Sequence, residues 1–130
     1  MNKKIIAFIL LAMLCVVSCS PKITADLINP QPKLSLDDKV ALLDLEHELP
    51  QGLIRVGSVR YQDSGFSTDC SFNSIMAKAR AEARKNGANI VKVTEKKTPD
   101  FWSTCYRLKI DLYRYSGDVT TLAQYTLTLD

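Results

Sequence analysis

Apolar positions change their spacing several times along the chain, and each change marks an element. Val40-Ala41-Leu42-Leu43-Asp44-Leu45 is a nearly continuous apolar run, which predicts a buried strand, and Leu49-Pro50-Gln51-Gly52 after it predicts a turn. Leu53 to Gln62 predicts a second strand, with Ile54 and Val56 on one face and Arg55 and Tyr61 on the other. Gly57 interrupts that strand, so a bulge or a close approach of another backbone is expected there. Asp63-Ser64-Gly65 ends it.

The period then becomes helical. Phe72, Ile75, Met76, Ala79 and Ala83 recur at i, i+3, i+4, i+7 and i+11 and share one face, while Lys78, Glu82 and Lys85 lie opposite. A cap among Thr68, Asp69 and Ser71 opens this helix, which runs to about Asn86. Arg84 and Lys85 suit the negative end of its dipole, and Gly87 suits the left-handed cap. Asn89 to Lys96 predicts a strand, Lys97 to Asp100 a loop, and about Trp102 to Tyr115 a longer strand. In that last strand Leu108, Ile110 and Leu112 alternate with Arg107, Lys109, Asp111 and Tyr113, the pattern of a sheet buried on one face. Asp118 to Leu129 reads either as a further strand or as a loose tail. The order ββαββ, with an optional C-terminal strand, predicts an α+β domain with one helix laid on a small, mostly antiparallel sheet.

The start of the chain follows a different logic. Lys3 and Lys4 precede an uncharged stretch, Ile5 to Val17, of 13 residues, where a membrane span needs roughly 20. A basic start, a short apolar run and Val16-Val17-Ser18-Cys19 form a secretory signal whose end resembles the lipobox of bacterial lipoproteins. Cys19 is then the lipidation site and the first mature residue. Cys15 is a poorer site, because bulky Leu14 precedes it. The expected organisation is a signal peptide at 1–18, a lipidated tether at 19–38 and one α+β domain at 39–130. Pro21, Pro30 and Pro32 prevent a continuous helix in the tether, although Leu27, Ile28 and Leu34 could instead pack on the domain.

Removing the signal alters both charge and cysteine count. Loss of Lys3 and Lys4 takes 17 basic side chains to 15 against 14 acidic ones, and the net charge from +3 to +1. That balance excludes a nucleic-acid or an acidic-substrate partner argued from net charge. With Cys15 removed and Cys19 acylated, Cys70 and Cys105 remain in an oxidising compartment, which predicts one disulfide. A redox-active pair is the alternative, and the lack of C-x-x-C spacing argues against it.

Candidate chemistry is sparse. The one histidine, His47, lies between Glu46 and Glu48, and a strand there would throw it to the side opposite both glutamates. That spacing gathers no metal site, no second histidine completes one, and no nucleophile elbow, phosphate loop or dinucleotide fingerprint occurs. The expectation is a protein that is not an enzyme and has no cofactor. Phe101 and Trp102, in a loop shortly before Cys105, are candidate partner-binding residues. Their other reading is that both rings cover the disulfide and pack against Phe72.

Val56-Gly57-Ser58-Val59, the run Ala79-Arg80-Ala81-Glu82-Ala83-Arg84-Lys85-Asn86-Gly87-Ala88-Asn89-Ile90-Val91, and Cys105-Tyr106 resemble a group of small bacterial envelope lipoproteins with a helix, Gly-Ala-Asn, strand centre. The group is distantly similar to the outer-membrane stress-sensor lipoprotein of the Rcs phosphorelay. The resemblance implies a compact α+β domain in which a cysteine before the helix, here Cys70, is bridged to one on a later strand, here Cys105. The stress sensor has two disulfides where this chain can form one, so its signalling does not carry over. The function expected is that of a non-enzymatic envelope lipoprotein acting as a sensor or adaptor by binding another envelope protein through an exposed face. A structural accessory of an outer-membrane complex and a small-ligand or metal-binding lipoprotein are the alternatives. Ser20 after the anchor, in place of aspartate, implies the outer membrane, with its periplasmic face preferred.

Overall fold

The computed structural model describes residues 2–4, 22–63 and 69–128. Residues 5–21, which hold most of the segment read as a signal together with Cys15, Cys19 and Ser20, and residues 64–68, which hold Thr68, lie outside the described residues. Across residues 22–128 the described fold is α+β, with five strands in one mixed sheet and one α-helix, and a disulfide joins Cys70 to Cys105. In chain order the elements are β1 (Lys22–Leu27), β2 (Ala41–Leu43), β3 (Ile54–Gln62), α1 (Phe72–Lys85), β4 (Ile90–Lys97) and β5 (Arg107–Arg114). The spatial order is β1-β3-β5-β4-β2, with the β2–β4 pair parallel and the rest antiparallel.

The helix begins at Ser71, whose hydroxyl accepts the Ser74 N–H, and ends at Asn86. Ile75, Met76, Ala79 and Ala83 are fully buried and meet Val56, Val59, Tyr61, Val91, Val93, Leu108, Ile110 and Leu112 on the sheet. Each large aliphatic side chain so buried contributes about 1.5–3 kcal/mol. The alanines bring helix and sheet close together, as a slim face allows.

Two glycines are required by backbone approach. Gly57 sits at the bulge where the β3–β5 register shifts, and a Cβ there would lie 2.4 Å from the Asp26 carbonyl oxygen of β1. The bulge also reverses which residues of β3 face the helix: Val56 before it and Val59 and Tyr61 after it point inward. Tyr61, expected on the face opposite Val56, therefore shares its core, and Ile54 is exposed. Gly87 has φ +75°, and a Cβ there would lie 2.5 Å from the backbone of Gln31 and Pro32. Beside it, Asn89 uses its side-chain amide like a strand backbone: Nδ2 donates to the Tyr115 carbonyl and Oδ1 accepts the Tyr115 N–H.

Three expectations are corrected. The segment read as a tether contributes β1 from its first described residue, pairing all six of its residues with Gly57 to Gln62 of β3, and then crosses the end of the helix. There the Gln31 and Leu34 N–H groups donate to the carbonyls of Asn86 and Arg84, and Leu34 is buried. Proline barred a helix in this segment but not an edge strand, because β1 ends before Pro30. The possible C-terminal strand is instead a 3-10 turn, Val119–Thr121, followed by an irregular run. That run is strapped down rather than loose: the Tyr125 N–H donates to Leu42, and the side chain of Asn73 bonds both the N–H and the carbonyl of Thr128. Finally, β2 stops at Leu43, and residues 44–47 fold into a turn.

Candidate functional site

Two features found by sequence reasoning, the disulfide and the aromatic pair, come together at one end of the sheet. Cys70 precedes the helix cap and Cys105 precedes β5, with Cα atoms 5.0 Å apart. The Tyr106 N–H donates to the Cys70 carbonyl, so the bridge and this bond tie the start of the helix to the start of β5. Phe72 packs on Tyr106 and Tyr125, and Lys96 Nζ lies 4.3 Å from the Phe72 ring centre.

Phe101 and Trp102 do not join that packing. They are 95% and 88% exposed and touch each other edge to face, with ring centres 5.6 Å apart. The reading in which they cover the disulfide against Phe72 is corrected: Tyr106 and Tyr125 occupy that place.

The loop that displays the two rings is well tied. Asp100 Oδ1 accepts the N–H groups of Trp102 and Ser103, and its own N–H donates to the Ser103 carbonyl at 2.7 Å. Arg107 Nη2 donates to Asp100 Oδ2 at 2.8 Å and to the Thr98 carbonyl at 3.0 Å. The Arg107 guanidinium, with the two backbone N–H groups, holds the Asp100 carboxyl below the usual carboxylate range. Ser103 Oγ donates to Asp63 and accepts the Cys105 N–H. These bonds fix the loop backbone and leave the two rings in solvent.

Under Trp102 lies an open groove of about 520 Å³ on the sheet face turned away from the helix. Strand alternation and register place Lys22, Arg60, Lys109, Arg107 and Lys97 in its lining, against Glu95 and Asp63. Arg107 pairs with Asp100 and Lys109 approaches Glu95 at 3.8 Å, while Lys22, Arg60 and Lys97 form no ion pair among the described residues. The result is a cationic concavity with an apolar aromatic rim, suited to an extended anionic surface. Sequence reasoning missed this cluster, because its members come from four strands whose order no local pattern reveals. The visible signal was the alternation of Arg107 and Lys109 in β5.

His47 is not part of this groove. Its Nδ1 accepts the Asp44 N–H at 2.9 Å, its Nε2 is 3.9 Å from Glu46, and its carbonyl, with those of Asp44 and Leu45, receives Lys92 Nζ. The expected strand geometry around it is replaced by this lysine-capped turn. Among the described residues, no group of three or more His, Cys, Asp or Glu side chains is placed to hold a metal ion. Nor, among those residues, is any helix long and apolar enough to cross a membrane.

Comparison with protein-family models, with curated proteins and with solved structures returns no match for this chain.

Proposed function

We propose that the chain is a cell-envelope lipoprotein, acylated on Cys19 and held at the periplasmic face of the outer membrane, whose domain works by binding as a sensor or adaptor and not by catalysis. The observation that carries the binding reading is the Phe101–Trp102 pair, two large apolar rings held in solvent by a hydrogen-bonded loop above a cationic groove. Monomeric domains seldom leave such rings uncovered without a use for them. The Cys70–Cys105 disulfide supports a compartment outside the cytoplasm, where such bonds persist. The lipobox-like Val16-Val17-Ser18-Cys19 supports the anchor.

Labelling with radioactive palmitate in the native host tests the anchor. The wild-type chain takes up label and stays with membranes through a high-salt wash, because stable attachment needs more than one acyl chain. Cys19→Ala takes up none and is released by the wash. Wild-type protein without label would overturn the lipoprotein reading.

A further inference from the structure

We propose that the Phe101–Trp102 end of the domain docks directly on an anionic bilayer surface, so that the protein lies on the membrane rather than standing off it on a tether. The proposal rests on the lipoprotein reading, since it takes Cys19 as the anchored residue, and it gives the exposed Phe101–Trp102 pair to lipid in place of a protein partner. Lys22 is three positions beyond Cys19 and is already hydrogen-bonded into the sheet as the first residue of β1. Three Cα steps cover at most about 11 Å. An acyl chain on Cys19 therefore holds this edge of the sheet at headgroup level.

The end held there is the one with the right chemistry. Lys22 pairs with Gln62, and β3 and β5 carry the same level across to Arg107 and Lys97, between which the Phe101–Trp102 loop projects. Lys22 and Trp102 line the same groove, with Arg60, Lys97, Arg107 and Lys109 between and around them. Tryptophan and phenylalanine favour the boundary between headgroups and acyl chains, and lysine and arginine beside them favour anionic lipid. The cationic lining is complementary to anionic lipid, and the short reach from the anchor selects a lipid surface over a protein partner. At the opposite end of this sheet face Val119 and Leu122 cover the strands, and no comparable exposed aromatic pair is present among the described residues.

Trp102 is the sole tryptophan of the chain, so its fluorescence reads the proposed contact directly. The test uses the chain from residue 19 onward with Cys19→Ala, which retains the whole sheet and helix and carries no acyl group. With vesicles of phosphatidylethanolamine and phosphatidylglycerol, Trp102 emission shifts to the blue and is quenched by brominated acyl chains. Phosphatidylcholine vesicles and inorganic phosphate leave the emission unchanged. Phe101→Ala or the Arg60→Ala/Lys97→Ala double variant lowers partitioning by about tenfold, with unchanged circular dichroism and melting temperature.

Emission unchanged on anionic vesicles would overturn the proposal. So would crosslinking of Trp102-loop probes in native membranes to a protein and not to lipid, which would assign the loop to an adaptor interface. Because the vesicle experiment uses unacylated protein, its failure is separate from a failure of palmitate labelling, which tests the anchor itself.

Discussion

The two ends of the sheet face turned away from the helix are made by the same central strands, β4 and β5, yet they have opposite characters. At one end Ala41, Leu43 and Ile90 are fully buried under Val119, with Leu53, Tyr113, Tyr115 and Leu122 packed around them. At the other, Lys22, Arg60, Lys97, Arg107 and Lys109 line an open groove, and Phe101 and Trp102 stand in solvent. The difference follows from what the chain lays over each end. After β5 it turns back through the Val119–Thr121 turn and covers the first, whereas no described segment returns over the second. A small domain thus closes one end of its second sheet face into a satellite core and leaves the other available for binding.

The sharpest way to break this contrast is to truncate a large side chain at each end. Leu43→Ala removes a fully buried side chain and is expected to cost about 2–5 kcal/mol, read from urea unfolding. Trp102→Ala removes a larger side chain and should change stability by no more than about 0.5 kcal/mol. A large loss from Trp102→Ala would place that ring in a core and undo the contrast.

The disulfide gives the next largest effect, and it belongs to the open end. Cys70 and Cys105 are 35 residues apart, and closing such a loop contributes on the order of 3 to 4 kcal/mol in the chain-entropy model. Reduction, or a Cys70→Ser/Cys105→Ser double variant, should lower the denaturation midpoint accordingly. Hydrogen exchange should rise first in residues 98–106 and the start of the helix, while Ile90 and Leu43 amides stay protected. Equal loosening at both ends would contradict this division.

The smallest effects are in pH. The Asp100 carboxyl is held low by Arg107 and by the N–H groups of Ser103 and Trp102. A depressed folded-state value means that its ionised form stabilises the loop above the ordinary carboxylate range, and that this contribution is lost as pH falls through the folded value. Acid should therefore loosen the Trp102 loop, seen as altered Trp102 emission, before the covered end responds. Asp100→Asn should remove that transition. On the alkaline side, burial and then Glu82 push the Tyr61 phenol far above its usual range. Its neutral form supports the fold below about pH 10, and stability falls as pH rises beyond that. The loss should be global, since Tyr61 belongs to the main core under the helix.

Much of the architecture was legible from local pattern. The spacing of Phe72, Ile75, Met76, Ala79 and Ala83 specified the helix and its buried face, and Gly87 its cap, because helical periodicity and cap chemistry are properties of neighbouring residues. Alternation in Leu108, Ile110 and Leu112 specified the buried face of β5, and reading Cys15 and Cys19 as part of a signal and its anchor left Cys70 and Cys105 as the expected disulfide. What the chain does near Lys22, Tyr61, Tyr125 and Trp102 was decided only in three dimensions. The residues of β1 have no sustained apolar face, and their place in the sheet comes from backbone pairing with β3 across about 35 intervening residues. The Gly57 bulge reversed the facing of Tyr61, since one extra residue inverts a period of two. Tyr125 and Thr128 found their partners on Leu42 and Asn73, far away in sequence, and so packed without forming a strand. The cationic groove beneath Trp102 exists because strand order set side by side residues of β1, β3, β4 and β5, and that order depends on long-range pairing which local sequence does not encode.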